Sequence, residues 1–267
     1  MTINFPAEFQ KFLDFHQIDY SVNGSIYTIC KPEISIRLIS VGECAPDNRG
    51  SQNITLYQDE WVNKYQLITN RLLANLGKQK SVFARNCVVR EVSSESARQF
   101  LERNHLLGYT TCRYKYALYT NKQTQYLNEN EMVAVAMFSA PRPMVREGAT
   151  ILSYEWVRYA GLAEYRVVGG MGKLLKYFID KNSPDEIMSY ADKDWSDGNV
   201  YRRLGFELHG ETEPIDFYVD KETLKRIPAK KILRDKQYGP QDDLSKKYFT
   251  LRNQGNLKFY WRAPFVN

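Results

Sequence analysis

The fold is decided by residues 155–179, EWVRYAGLAEYRVVGGMGKLLKYFI. A strand pattern runs into the glycine-rich turn at 169–172, and a helix pattern, KLLKYFIDK, begins at once. Because the strand IMSYAD follows at 187–192, the two strands flank a helical crossover and are expected to be parallel neighbours in one sheet. Glycines let a backbone approach a ligand closely, and the N–H groups of a first helical turn favour phosphate oxygens. The stretch therefore predicts either a phosphate-binding turn, with Lys173 adding a point charge, or a compact strand–helix connection.

The patterns on both sides of this stretch divide the chain into three parts. Residues 87–220 read β-α-β-β-β-α-β-α-β, and residues 1–86 give an amphipathic helix, several strands and a helix with Asp59 as its capping residue. Residues 221–267 carry only weak strand signals. We therefore predict an α/β (α+β) protein: a small α/β domain at 1–86, a mixed sheet with flanking helices at 87–220, and a C-terminal extension at 221–267 packed on that second domain.

Positive charge is concentrated towards the end of the chain. The net charge is +6, and residues 221–262 alone hold twelve Lys and Arg against four Asp and Glu. Such an asymmetry is typical of a segment that faces a polyanion, and solvated surface charge is the alternative. We predict DNA as a partner, bound through Lys230, Lys231, Arg234, Lys236, Lys246 and Lys247, with Trp195 stacking on a base.

Composition argues against several other classes of protein. No apolar run approaches the roughly 18 residues that span a bilayer, so we predict no membrane partner. The first residues lack the basic and apolar segments of a signal peptide, and a reducing cytoplasm is the expected compartment. Four scattered cysteines and three separate histidines do not have the spacing of a metal site, so none is predicted.

A polar cluster after the second strand carries the candidate chemistry. Transfer of a group to a weak amine needs a base for the amine proton and a donor for the developing negative charge. Asp192 stands at the carboxyl end of its strand, where open α/β sheets bind ligands, and we assign it the base role. Tyr201 fits as acid or oxyanion donor, and Arg158 as the group that orients Asp192 or a phosphate. Alternatively, Asp192 only caps the next helix and Tyr201 packs under Phe206.

The same segments resemble two motifs of the GNAT acyltransferases. Residues 155–179 are similar to motif A, in which an Arg/Gln-x-x-Gly-x-Gly/Ala turn holds the pyrophosphate of acyl-CoA, and SDGNVYRRLGF at 196–206 is similar to motif B. The resemblance covers residues 88–219 and implies a GNAT-like fold with acyl-CoA or a related acyl donor as cofactor. In one alignment Val167 takes the Arg/Gln position, and in the other Met171 takes the last small position. The implied cofactor-binding residues are Val167, Val168, Gly169, Gly170, Gly172 and Lys173.

Three stretches narrow this resemblance. NHLLG at 104–108, EWVRYA at 155–160 and YADKDWSDGNVYRRLGF at 190–206 look like the Mom-type DNA-modification proteins of phages, and like the GNAT-like domains attached to phage homing-endonuclease proteins. In Mom-type proteins this fold modifies adenine in DNA. His105, near the end of a helix, also fits a local partner of that helix end. Carried over by motif, the residues on which activity depends are His105, Arg158, Asp192 and Tyr201.

The N-terminal part has a resemblance of its own. ITLYQDEWVNKYQLITNRLLANLG at 54–77, followed by VFARNC at 82–87, is similar to the last strand and helix of very-short-patch-repair-type nuclease domains of the PD-(D/E)XK class. Those domains hold a metal with two acids close to a Lys or a similar residue. Here Glu33 stands alone in its strand, and Asp19 is the remaining candidate acid. The resemblance implies a degenerate domain that binds DNA or braces the transferase; an unrelated α/β cap is the alternative.

Three functions are therefore open. The first is a GNAT-like transferase of the Mom type that modifies an adenine amine in DNA. The second is an acyl-CoA-dependent N-acetyltransferase acting on a small amine or a protein, and the third is a catalytically inactive DNA-binding accessory protein. Both enzymes need the two parallel strands to separate where Leu162 and Ala191 end, so that a phosphate-bearing donor and an acceptor amine fit in the gap.

Overall fold

The computed structural model describes residues 3–43, 53–146, 148–232, 234 and 243–264. The chain forms two compact units that are interleaved along the sequence. Their bounds differ from the predicted consecutive domains at 1–86, 87–220 and 221–267, because residues of the C-terminal extension share a unit with the N-terminal residues. Unit 1 comprises Met1–Tyr65, Ala191–Asn199 and Glu211–Leu257, and unit 2 comprises Gln66–Tyr190, Val200–Gly210 and Lys258–Asn267.

The described residues form both helices and strands throughout the chain. The helices are α1 (Phe5–Phe15), α2 (Gln58–Asn63), α3 (Tyr65–Asn75), α4 (Ser94–Asn104), α5 (Gly170–Asn182), α6 (Asn199–Arg203) and α7 (Ala229–Ile232). The strands are β1 (Tyr20–Asn23), β2 (Ile26–Cys30), β3 (Glu33–Ile39), β4 (Asn53–Tyr57), β5 (Lys80–Phe83), β6 (Cys87–Glu91), β7 (Tyr114–Thr120), β8 (Met132–Phe138), β9 (Arg142–Arg146), β10 (Ala149–Gly161), β11 (Tyr165–Val168), β12 (Glu186–Asp192), β13 (Glu207–Glu211), β14 (Asp216–Asp220), β15 (Arg226–Pro228), β16 (Tyr248–Arg252) and β17 (Asn256–Arg262).

Unit 1 is built on two small sheets. The four-stranded sheet has the order β1-β2-β3-β4, in which β3 and β4 are parallel and the other neighbours are antiparallel. On α1, Phe5, Phe9 and Phe12 recur at helical spacing, and their rings contact Trp61 of α2. A second sheet has the order β15-β14-β16. The two sheets share a core cluster of Ile39, Tyr57, Val219 and Leu251.

Unit 2 is built on an eight-stranded mixed sheet. Its strand order is β13-β17-β12-β10-β8-β7-β6, and β9 pairs with β10 outside this path. β10 is parallel to β12 and antiparallel to β8, as expected when α5 forms the crossover between β10 and β12. The predicted mixed sheet with flanking helices is therefore confirmed. None of the described helices combines the length and the apolar character needed to cross a membrane.

Helices cover both faces of this sheet. Tyr116 of β7 and Phe138 of β8 contact Phe178 of α5, and the Phe138 and Phe178 rings stack with centroids 3.9 Å apart. Their chain neighbours Ala117 and Met137 lie in the cluster that α4 completes. Because successive strand residues point to opposite faces, α4 and α5 lie on opposite sides of the sheet. Each close ring pair adds about 1 kcal/mol to the stabilisation from buried area.

Some elements differ from the sequence prediction for local reasons. The predicted helix over 59–77 is two helices, because the backbone leaves the helical conformation at Lys64 (φ −134°). Asp59 was predicted to cap this helix, but it lies inside α2, where it is buried in an ion pair with Arg226. β17, predicted only weakly, is a full member of the large sheet. Local pattern reveals neither a distant ion-pair partner nor the strands that a segment joins.

Candidate functional site

The parallel strands β10 and β12 separate before they end. Their pairing stops at Trp156↔Ser189, whereas β10 continues to Gly161 with β8 as its paired neighbour. The separation that the sequence predicted at Leu162 and Ala191 is thus present and begins earlier along both strands. A gap at the carboxyl ends of parallel strands is where open α/β sheets bind ligands.

A β-bulge in β10 redirects the side chains that border this gap. The register with β8 shifts between Trp156 and Arg158, so Val157 is an extra residue. Strict alternation would place Arg158 on the face of Trp156 and Tyr159 on the other face. With the bulge, Tyr159 contacts the Trp156 ring, and Arg158 donates from Nε to the carbonyl oxygen of Gly108, which follows α4. One inserted residue therefore decides which side chain faces α5.

The turn into α5 is shaped by two glycines. Gly169 is the N-cap residue with φ +76°, a conformation that favours glycine, and it has no side chain to cap the first turn. At Gly170, a Cβ would stand 2.6 Å from the Tyr159 hydroxyl oxygen and 2.8 Å from Val167 Cγ1, which leaves space only for glycine. The N–H groups and the positive dipole end of this 13-residue helix therefore face an uncapped turn.

The other residues of the predicted cofactor turn have different surroundings. Val167 and Val168 belong to β11, which pairs in parallel with β5, a strand pair that the sequence did not indicate. Lys173 donates from Nζ to the carbonyl oxygens of Ala84 at 2.9 Å and Cys87 at 2.5 Å. Its ammonium group thus fastens α5 to the segment before β6, a role that differs from the predicted point charge at the turn.

Tyr159 borders the gap, and the sequence analysis missed it. Its hydroxyl lies against Gly170 and has no hydrogen-bond partner among the described residues. No fully buried side-chain polar atom is left unpaired in the described part of the chain, so this hydroxyl reaches accessible space. Burial raises the pKa of Tyr159, and the phenol therefore stays protonated at neutral pH. A phenol with an unused proton beside a helix N-terminus indicates a ligand atom that accepts it.

An open cleft of about 360 Å³ adjoins this turn along α5 and α6. Gly172, near the start of α5, lines the cleft, and a Cβ at this residue would meet only the Leu204 side chain at 3.2 Å. Two cations, Lys176 and Arg203, give the cleft positive charge, and Asp180 pairs with Lys176 at the surface. The cleft is lined by Gly172, Leu175, Lys176, Ile179, Asp180, Arg203 and Leu204.

Tyr201 lies where β10 and β12 separate. Its ring contacts Trp156, Phe206 and Phe259, and its hydroxyl oxygen lies 3.0 Å from Ser189 Oγ. Burial raises the pKa of Tyr201, while the hydrogen bond with Ser189 opposes that shift. The hydroxyl therefore holds its proton at neutral pH, as an acid or oxyanion donor requires. The alternative interpretation, packing against Phe206, is observed, and the role of acid or oxyanion donor stays a prediction.

Arg158 and His105 both contact the segment that follows α4. His105 follows the last residue of α4, its Nδ1 accepts from the Leu107 N–H at 3.1 Å, and its carbonyl oxygen accepts from the Gly108 N–H. Arg158 donates to the carbonyl oxygens of Gly108 and Val157 and makes no ion pair with a described carboxylate. Burial lowers the pKa of Arg158. Since a guanidinium carries five N–H donors, three are left for an anion.

Asp192 belongs to unit 1 and shapes the turn that follows β12. Its Oδ1 accepts from the Asp194 N–H at 3.0 Å, and its carbonyl oxygen accepts from the N–H groups of Trp195 and Ser196. Asp192 thus forms a local turn and does not cap the next helix, which begins only at Asn199; its role as base stays a prediction. Asp194 is buried and accepts a hydrogen bond from the Tyr57 hydroxyl at 3.0 Å. Burial and, after it, the charge of Asp192 raise the pKa of Asp194.

The structure thus distributes the predicted catalytic residues. Arg158 reaches the Gly108 carbonyl oxygen in the segment that begins at His105, Tyr201 lies at the separated strands, and Asp192 belongs to the other unit. Trp195 was predicted to stack on a base; it is only 5% exposed, which leaves little of its ring accessible, and the prediction remains a prediction.

The predicted DNA-binding and nuclease residues all fall in unit 1 or outside the described residues. Lys236 lies outside them, whereas Lys230, Lys231, Arg234, Lys246 and Lys247 are exposed in unit 1. Glu33 and Asp19 are exposed as well, and the nuclease resemblance stays a prediction. Within the described ranges, no three His, Cys, Asp or Glu side chains lie close enough together to hold a metal ion.

Solved structures similar to this chain include several acetyltransferases. One is an HPA2-related acetyltransferase from Corynebacterium glutamicum, with a TM-score of 0.39 and 14% identity over 68% of this chain and 99% of that one. Others are the ribosomal-protein-S18-alanine N-acetyltransferase from Escherichia coli (0.36, 14%, 68% and 96%) and NAA60 from Arabidopsis thaliana in complex with acetyl-CoA (0.38, 9%, 66% and 99%). No family model and no curated protein matches the chain. At these TM-scores and identities, likeness by itself assigns neither a family nor an activity.

Proposed function

We propose that unit 2 is a GNAT-like N-acyltransferase that takes an acyl group from acyl-CoA or a related donor and passes it to an amine. The observation that carries the proposal is the separation of β10 and β12 beside the uncapped first turn of α5. At that turn, the Tyr159 hydroxyl and Val167 take the space that a Cβ of Gly170 would occupy, so the backbone of the turn carries no side chain there. Backbone N–H groups, a helix dipole and a close backbone approach are what a pyrophosphate requires.

The residues around the gap divide the work of such a transfer. A bound acyl-CoA would supply the activated thioester. The first-turn N–H groups of α5 hold its phosphates, and Lys176 and Arg203 add positive charge in the adjoining cleft. Tyr201 donates from its hydroxyl to the Tyr190 carbonyl oxygen at 3.3 Å and would turn this proton towards charge that develops in the gap. Arg158 offers its remaining N–H donors to an anionic group of the acceptor.

For the acceptor, we propose a base amine in DNA, as the resemblance to Mom-type proteins implies. The exocyclic amine of adenine is a weak nucleophile, and an enzyme reaches it in a duplex only by flipping the base out. An amine of a small molecule or a protein is the alternative acceptor for the same site. The distribution of positive charge in unit 1, described below, favours the nucleic acid. Asp192 as the base for the amine proton is part of this proposal.

Calorimetric titration of the purified chain with CoA and acetyl-CoA tests the donor site. We expect micromolar binding that weakens about tenfold, or about 1.4 kcal/mol, in the double variant Lys176→Gln/Arg203→Gln. The matched control is Lys181→Gln, because Lys181 also lies on α5 but pairs with Glu91 outside the cleft. Absence of binding by the wild-type chain refutes the donor site, whatever the variants do.

Mass spectrometry of nucleosides from an expression host tests the acceptor. DNA from cells that make the soluble protein is expected to contain an acylated or otherwise enlarged adenine nucleoside, and cells that make Tyr201→Phe are expected to lack it. CoA binding without any modified nucleoside would point to the small amine or protein as acceptor. If neither CoA binding nor modified DNA is found, the results support the third function, a catalytically inactive DNA-binding accessory protein.

A further inference from the structure

The three-stranded sheet of unit 1 carries two kinds of cation. Arg226 of β15 is buried in a bidentate pair with Asp59, with N···O distances of 2.7 and 2.8 Å, and Arg252 of β16 pairs in the same way with Asp216. The carboxylates neutralise both arginines, Arg226 in a largely buried pair and Arg252 in an exposed one. The other cations of this sheet, which lack a carboxylate partner among the described residues, form a separate group.

The first unpaired group surrounds a surface cleft next to α7. Lys230, Lys231 and Arg234 line this cleft together with Pro228, and its volume is about 440 Å³. All three cations are exposed, and none forms an ion pair with a described carboxylate. Ile232 of α7 is only 3% exposed and fixes this helix to the protein, so the three charged side chains project from a fixed segment. Like charges placed this close repel one another, which an anionic partner would relieve.

The second unpaired group lies at the opposite end of the same sheet. β14 pairs Asp220 with Tyr248 of β16, and the Asp220 N–H donates to the Lys225 carbonyl oxygen. Lys225 and Lys246 are therefore at the Asp220 end, and both are exposed without an ion pair among the described residues. The carboxylate of Asp220 accepts from the Thr223 hydroxyl and backbone N–H groups, which lower its pKa and commit it to the local turn.

The two groups are too far apart for one small anion. The three residues of β15 separate Lys225 from the α7 segment, and at 3.3 Å per residue this is roughly 10 Å or more. A free phosphate or a nucleotide would contact one end of the sheet only. A polymer with regularly spaced phosphates contacts both ends, and its released counterions supply the driving force.

We propose that the three-stranded sheet and α7 of unit 1 form a binding surface for the sugar–phosphate backbone of duplex DNA. Lys230, Lys231 and Arg234 contact one stretch of phosphates, and Lys225 and Lys246 contact another. Contacts of this kind fix position and carry no base preference. The surface belongs to unit 1 alone, so it does not depend on the transfer activity proposed for unit 2.

Fluorescence anisotropy with a labelled 20-base-pair duplex, measured over a series of salt concentrations, tests this surface. For the full chain we expect log K to fall linearly with log salt. The triple variant Lys230→Gln/Lys231→Gln/Arg234→Gln is expected to bind about 10- to 100-fold more weakly at 100 mM salt, with a slope shallower by about 3 because each lost phosphate contact contributes about 0.9.

The control has the same change in net charge at other places. Lys11, Lys64 and Lys181 each pair with a carboxylate, so Lys11→Gln/Lys64→Gln/Lys181→Gln is expected to keep the wild-type slope and to lose less than threefold in affinity. Equal losses in the two triple variants would show that only overall charge matters and would overturn the proposal. So would salt-independent binding, or equally tight binding of a polyglutamate of the same charge.

Discussion

A single methyl group added at Gly170 tests the geometry of the gap. Its carbon would stand 2.6 Å from the Tyr159 hydroxyl oxygen and 2.8 Å from Val167 Cγ1, well inside van der Waals contact. Overpacking of this kind costs about 1–3 kcal/mol, whereas alanine in place of helical glycine normally gains up to about 1 kcal/mol. Gly170 has no positive φ, so backbone strain adds nothing. We therefore expect Gly170→Ala to lower the free energy of unfolding by about 1–2 kcal/mol.

Urea unfolding followed by circular dichroism measures this change, provided that the slope with urea is the same for each variant. In the Tyr159→Phe background the closest contact is absent, so Gly170→Ala is expected to cost about 1 kcal/mol less there. Tyr159→Phe alone is expected to be nearly neutral, because the hydroxyl makes no hydrogen bond in the protein. Gly172→Ala, which meets only a flexible Leu204 methyl group at 3.2 Å, serves as control. A stabilising Gly170→Ala, or equal costs in both backgrounds, would refute the close approach of Tyr159 to the turn.

Three further outcomes are expected for unit 1. Asp194→Asn should flatten the pH dependence of stability. Burial raises the pKa of the Asp194 carboxyl in the folded chain above the unfolded value of 3.8, so the wild-type chain loses stability as the pH rises above 3.8. A pH series of urea unfolding midpoints measures this loss. Asp59→Asn should lower the free energy of unfolding by about 3 kcal/mol, because it removes the bidentate partner of the Arg226 guanidinium and leaves only Glu60 at 3.7 Å. Gly255→Ala should cost at least about 2 kcal/mol, because Gly255 has φ +74° and its Cβ would stand 2.5 Å from a backbone carbonyl oxygen. Gly24 has φ +59° but open space around it, so Gly24→Ala should cost about 1 kcal/mol in the same urea assay.

The parts of the fold that follow from local pattern were predictable. α4 begins at the Ser93 cap as its sequence indicates, and the apolar residues of β7, β8 and β10 place their strands correctly. β11 was not separated from β10, because a four-residue strand directly before the glycine turn has too little pattern of its own. The division into units could not be predicted for another reason. It depends on long-range contacts between distant segments, such as Leu251 and Ile39 in one core cluster.

For the candidate site, the sequence identified residue types but not their directions. It named Gly170 and Tyr201 at the gap because glycine turns and strand ends are recognisable signals. It also named Trp195, whose burial depends on a core that pattern does not reveal. The partners of Lys173 were not predictable for a related reason, since these carbonyl groups come from a segment more than eighty residues earlier.

The bulge at Val157 connects these observations. In a regular strand, the side chains that face α5 after Trp156 would be Arg158 and then Ala160, a cation and a methyl group. The extra residue exchanges this order, so that a phenol with an unused proton faces the turn and the cation faces the segment after α4. In the proposed donor site, the N–H groups of α5 hold an anion, and the neutral Tyr159 phenol can donate to it. Arg158 in that place would add a positive charge that repels the cations of the neighbouring cleft. The cation is instead displayed on the other side of β10, where its spare donors can meet the acceptor. A donor site and an acceptor site with different electrostatic character can thus be built on one strand by a single inserted residue.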